Sequence, residues 1–120
     1  MSKITILVAE DEAMLRVLAV EMLQDAGFQV LEAGDGVEAL EMLKATPDIA
    51  LLVSDIKMPR MDGYALVEAG LVFRPDLKVL LMTGYAQEPP PQVLKARDIQ
   101  ILHKPFNLER LCALAAQMTA

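Results

Sequence analysis

Three short apolar runs, Ile4 to Ala9, Ile49 to Val53 and Leu77 to Met82, punctuate a chain whose intervening segments carry helical spacing. Runs of that length with almost no polar interruption mark strands covered on both faces in a parallel sheet. Phe28 to Leu31 and Ile99 to Leu102 are shorter runs of the same kind. Between them, Leu15, Leu18, Ala19, Met22, Leu23 and Ala26 recur at helical intervals, and Gly27 follows where a left-handed cap is wanted. Val37, Leu40 and Leu43 predict a second helix, and Ala65, Leu66, Ala69 and Val72 a third. Leu108, Leu111, Cys112, Ala115 and Met118 predict a last one, opened by Asn107 as N-cap. Pro89-Pro90-Pro91 forbids helix until Pro91, which can stand in the first turn of a short helix reaching Arg97. Five strands alternating with five helices predict a doubly wound α/β domain with right-handed crossovers.

Ligands of such sheets bind at the carboxyl ends of the strands, near the point where strand order reverses. Those ends carry Glu10-Asp11 after the first run, Asp55 after the third, Thr83 after the fourth and Lys104 after the fifth. In the order 2-1-3-4-5, one common doubly wound arrangement, the first and third strands are neighbours and Asp11 faces Asp55. Three carboxylates so close repel one another and destabilise the fold unless a cation joins them. The acids Glu10, Asp11 and Asp55 against Lys104 leave a deficit of two positive charges, which one dication supplies; hard oxygen donors with room for water suit Mg²⁺. Asp55 is the candidate nucleophile, because a carboxylate is anionic at neutral pH and attacks phosphorus without a general base. The cation, the Lys104 ammonium, the Thr83 hydroxyl and backbone N–H groups are the parts that phosphoryl transfer needs for positioning and charge neutralisation.

Composition narrows the alternatives. A chain of 120 residues is read as one domain over 1–120, long enough to bury a core without staples. The single Cys112 cannot form an internal disulfide, so the reducing cytoplasm is the default location. No secretory segment precedes the acidic cluster, and no apolar run approaches the about 18 residues of a membrane span. A net charge of −6, with the 11 Lys and Arg scattered, argues against nucleic acid as the direct partner.

Val8-Ala9-Glu10-Asp11-Glu12, the stretch from Val53 through Asp55, Lys57, Met58, Pro59 and Asp62 to Gly63, Leu81-Met82-Thr83-Gly84 and His103-Lys104-Pro105-Phe106 together resemble a CheY-like response-regulator receiver domain of two-component signalling. The resemblance spans essentially the whole chain. It implies a flavodoxin-like (βα)5 fold with sheet order 2-1-3-4-5. It implies that Asp55 is the phosphoacceptor, that Asp11, Asp55 and the Lys57 backbone carbonyl bind Mg²⁺, and that Glu10 orients a metal-bound water. It also implies that Lys104 contacts the phosphoryl group, that Thr83 is a switch hydroxyl and that the peptide before Pro105 is cis. The implied partners are a histidine kinase or histidine phosphotransferase as phosphodonor and a protein target, with a homodimer on phosphorylation left open. The implied chemistry is self-catalysed phosphoryl transfer and autodephosphorylation rather than enzyme turnover. With nothing after Ala120 to serve as an output domain, a stand-alone regulator or relay intermediate is expected. The alternative is a receiver cut from a larger regulator or hybrid kinase.

Each residue also has a bland reading. Asp55 alone is a turn or cap residue, Glu10 and Asp11 alone are helix caps, Lys104 alone is a solvated lysine, and Thr83 alone satisfies a turn. Asp62-Gly63 is read structurally, as cap and flexible helix entry, and Cys112 and most of the eight methionines as core. The lone His103 leaves no histidine pair for metal or nucleophile chemistry. The chain departs from the family where many members place an aromatic three residues before the rim lysine, a position held here by Ile101. Tyr85 is the candidate to move in its stead and, with Lys57, to slow dephosphorylation, while the triple proline alters the surface a partner would read. Two other classes fit worse. An Asp-nucleophile phosphohydrolase of the haloacid-dehalogenase kind needs a second acid where Lys57 stands. A flavodoxin-like electron carrier would have its flavin phosphate repelled by Glu10-Asp11-Glu12 and has no Trp to sandwich the ring.

Overall fold

The computed structural model describes residues 3–83, 99–103 and 108–120. Strands β1 (Thr5–Ala9), β2 (Gln29–Ala33), β3 (Ile49–Asp55), β4 (Lys78–Thr83) and β5 (Ile99–His103) form one parallel sheet in the order β2-β1-β3-β4-β5. Among the described residues the helices are α1 (Ala13–Asp25), α2 (Gly36–Ala45), α3 (Gly63–Phe73) and α4 (Leu108–Thr119). The helix expected over 91–97, with its prolines, lies outside the described residues, as does Asn107.

Two apolar clusters explain why the strands read as nearly unbroken runs. Leu7, Ala9, Leu52, Val79 and Leu81 point to one face, against Ala39 and Leu43 of α2 and Leu66, Val67 and Leu71 of α3. Ile6, Val8, Leu51, Val53, Leu80 and Met82 point to the other, against Ala19, Val20 and Leu23 of α1 and Leu111, Ala115 and Met118 of α4. Alternate residues of each central strand are thus buried on opposite faces, leaving no solvent side for polar residues.

Element boundaries moved where the strands run on into polar residues: β3 includes Ser54 and Asp55, and β4 ends on Thr83. The second strand begins at Gln29 rather than Phe28, which is buried just before it. Gly27 takes the expected left-handed conformation, with φ of 102°. The apolar stripe of α3 needs correction. Val72 is 77% exposed, and the buried face is Leu66, Val67, Gly70 and Leu71. Almost every residue of α3 is apolar, so spacing alone could not set the helix's rotation; packing against the sheet does. Likewise Leu18 of α1 is exposed while Val20 is buried. Cys112 is half-buried against the α1–α4 cluster.

Gly63 opens α3 for a steric reason rather than a flexible one. A Cβ there would lie 2.4 Å from the Asp55 carbonyl oxygen and 2.8 Å from the Ile56 Cα, both backbone atoms that cannot swing aside. The Gly63 N–H donates to the Ile56 carbonyl at 2.7 Å, and Asp62 caps the helix by accepting from the Ala65 N–H at 2.8 Å. Helix propensity alone would make Gly63→Ala stabilising by about 1 kcal/mol. Forced overlap with backbone costs about 1–3 kcal/mol, so we expect net destabilisation of Gly63→Ala in urea unfolding, and a neutral or stabilised variant would contradict the close approach. The Cys112 thiol is pushed above its ordinary range by burial and, second, by Asp25. A raised thiol pKa leaves less thiolate at pH 8, so iodoacetamide should alkylate Cys112 more slowly in the folded protein than in urea, where equal rates would contradict the shift.

Candidate functional site

Parallel register decides which side chains meet at the sheet's carboxyl rim. Ala9 of β1 pairs with Ser54 of β3, so the next residues along the two strands, Glu10 and Asp55, stand side by side. This alignment depends on an irregularity: Thr5 pairs with Ile49 but Ile6 with Leu51, leaving Ala50 as one extra residue in β3. Had the Thr5–Ile49 register continued, Glu10 would stand beside Ser54 and Asp11 beside Asp55.

Carboxylate oxygens of Glu10, Asp11 and Asp55, one from each residue, lie within 4.8 Å of one another. Glu10 is 1% exposed and Asp55 8%, while Asp11 is open to solvent. The sequence places these three acids at the strand ends, and the structure brings them together. Local hydrogen bonds hold the buried pair. Glu10 Oε2 accepts from the Glu12 N–H at 3.2 Å, Asp55 Oδ1 accepts from the Ile56 N–H at 2.8 Å, and Ser54 Oγ donates to the Asp55 carbonyl at 2.8 Å. The expected cap of α1 by Glu10 or Asp11 takes another form: Glu12 is the N-cap residue and makes no side-chain cap bond, while the Glu10 carboxylate receives the Glu12 N–H.

The loop from Ile56 to Asp62 runs over the rim. Lys57 is exposed, and an open hollow is lined by Asp11, Lys57, Met58 and Asp62. The loop is pinned at Arg60, which adopts a positive φ of 69° and pairs through Nη1 with Asp35 Oδ2 at 3.5 Å, while the other oxygen of Asp35 caps α2. Thr83, 5% exposed, ends β4 one residue beyond Met82, the register partner of Asp55. Lys104, Tyr85 and the Pro105 peptide lie outside the described residues.

The donor set is three carboxylates, with neither thiolate nor imidazole, and it suits a hard dication such as Mg²⁺ with water in the remaining positions. Among the described residues no second group of this kind occurs. Two residues that the sequence did not single out support the site. Arg16 donates from Nη1 to the Glu10 carbonyl at 2.7 Å and from Nε to Glu32 Oε1 at 3.1 Å; its only signal in the sequence was a basic residue one turn after Glu12. Arg60 carried none, because nothing in a side chain's chemistry announces a left-handed arginine.

The chain matches the response regulator receiver domain family over residues 6–116. It is 39% identical over 107 residues to the response regulator receiver protein CpdR of Brucella abortus, covering 88% of each chain. It is 37% identical over 116 residues to the sensor kinase CckA of the same organism, covering 95% of this chain but only 12% of that relative's length. Among solved structures, the response regulator TrrA of Thermotoga maritima in complex with Mg(2+)-BeF superposes with a TM-score of 0.86 at 29% identity, covering 98% of this chain and 99% of that one. Five parallel strands in the order β2-β1-β3-β4-β5, an acidic cluster on their carboxyl rim and a family match over nearly the whole length identify the chain as a member of the response regulator receiver domain family.

Proposed function

We propose that the chain is a phosphoacceptor of a two-component or phosphorelay system, acting in the cytoplasm, with Asp55 as the residue phosphorylated. The observation that carries this reading is the meeting of Glu10, Asp11 and Asp55 within 4.8 Å, with Asp55 at the end of a buried strand. The phosphodonor is a phosphohistidine of a histidine kinase or histidine phosphotransferase. An Asp55 carboxylate oxygen attacks phosphorus in line, an O–P bond forms as the P–N bond breaks, and the released imidazole takes up a proton. Water later hydrolyses the acyl phosphate and regenerates the carboxylate, so the chain carries the group rather than turning over a substrate.

Glu10, Asp11, Asp55 and the Lys57 carbonyl are the candidate holders of Mg²⁺, Glu10 through a water. When bound, the cation neutralises the acids and the charge developing on the phosphoryl oxygens. This chain's own groups do the rest. The Asp55 main-chain carbonyl accepts from the Ser54 hydroxyl, and its carboxylate oxygen Oδ1 accepts from the Ile56 N–H, which limits the carboxylate's motion. Thr83, which pairs with His103 of β5 one residue beyond the last β3–β4 pair, offers a hydroxyl to a phosphoryl oxygen. Lys104 supplies the ammonium and Tyr85 the candidate moving aromatic. The output is a changed protein contact near Thr83, including a second copy of the chain as one candidate target.

Incubation with acetyl phosphate and Mg²⁺, followed by intact mass measurement, should show one hydroxylamine-labile phosphoryl adduct, lost on adding a chelator before the donor and absent from Asp55→Asn. An adduct on Asp55→Asn, or multiple turnover of ordinary phosphate esters, would contradict the proposal, the second in favour of a hydrolase.

A further inference from the structure

The acidic cluster sits where β1 gives way to α1, and one side chain outside the cluster fixes that junction. Arg16, one turn into α1, reaches back so that Nη1 donates to the Glu10 carbonyl oxygen at 2.7 Å, a short charge-assisted bond. Its Nε meets Glu32 of β2 at 3.1 Å. The Glu10 N–H in turn donates to the carbonyl of Ala33, the residue after Glu32, at 3.1 Å. The peptide units on both sides of Glu10 are therefore tied to the β2 edge, one by the sheet ladder and one by Arg16. The carbonyl that Arg16 holds belongs to the peptide linking Glu10 to Asp11, whose side chains supply two of the three oxygens of the cluster.

We propose that Arg16 is a positioning residue for dication binding, fixing the Glu10–Asp11 peptide so that both carboxylates converge with Asp55; the inference rests on the metal-binding part of the function proposed above. Glu32 has two tasks in it. It aims the guanidinium, and it neutralises a positive charge that would otherwise weigh against a nearby dication. Outer residues that orient metal ligands commonly change affinity by about 10–100-fold when removed.

The sign of the effect separates positioning from charge. Removing a cation beside an acidic cluster should, by Coulomb's law alone, tighten Mg²⁺ binding. Loss of positioning should weaken it. Isothermal titration calorimetry of the whole chain with MgCl2 is therefore expected to show Arg16→Met binding about tenfold more weakly than the unsubstituted protein. Arg16→Lys, which keeps the charge and a donor but not the two-point grip, is expected to fall between them, and it serves if Arg16→Met does not fold. Phosphorylation by acetyl phosphate should show the matching split: a higher Mg²⁺ requirement in both variants with the same rate at saturating Mg²⁺. Equal or tighter Mg²⁺ binding by the folded Arg16 variants would overturn the inference while leaving the proposed function standing. Absence of Mg²⁺ binding by the unsubstituted protein would remove the metal-binding part of that function, and this inference with it.

Discussion

The convergence of three carboxyl groups, those of Glu10, Asp11 and Asp55, is the constraint around which the rest of the molecule is arranged. Two of the acids are almost fully buried and all three bring oxygens within 4.8 Å of one another. At such a separation near a protein surface, a pair of like charges costs on the order of a few kcal/mol, a substantial part of the about 5–15 kcal/mol that stabilises an ordinary domain. A fold that keeps the cluster must oppose it with something rigid, and the central sheet provides that. Ile6, Leu7, Leu51, Leu52 and Leu80 are all wholly buried, so β1, β3 and β4 cannot drift apart to relieve the charge.

Topology then turns a local cost into a site. Because β1 and β3 are parallel neighbours, their carboxyl ends open on the same rim, and because α1, α2 and α3 carry the chain back from β1, β2 and β3, the residues that follow β1 and β3 meet on that rim. The details serve placement. The extra residue at Ala50 sets Glu10 beside Asp55, Gly63 lets α3 start against the Asp55 carbonyl, and Arg16 ties the Glu10 carbonyl to β2. Arg60 in a left-handed conformation is a further departure from local preference beside the same loop. Departures from the easiest local choice concentrate here, as expected where binding competes with stability.

The central strands were legible to within one or two residues because burial on both faces leaves an apolar run that little else produces. The positions at their ends were legible for the same reason: once the runs are placed, the places of Glu10, Asp11, Asp55 and Thr83 follow directly. Strand order was not written in the periodicity, and it came from the motifs. The bulge at Ala50 was invisible, since Ile49-Ala50-Leu51 reads as uniform apolar sequence whichever residue is skipped. The rotation of α3 was hidden by excess, with Val72 as apolar as the buried Leu71. Arg16 escaped notice because its contact is to a backbone carbonyl, which every residue possesses and no motif marks.

The central claim, that the three carboxylates form an electrostatically strained pocket relieved by a dication, is tested most directly by comparing the urea stability of the unsubstituted protein with that of Asp11→Asn, with and without Mg²⁺. Without the cation, removing one charge should stabilise the fold. With Mg²⁺ well above its dissociation constant, ligand binding to the native state adds stability only where the site is intact, so the order should reverse. Stabilities that keep the same order and spacing in both conditions would contradict the claim.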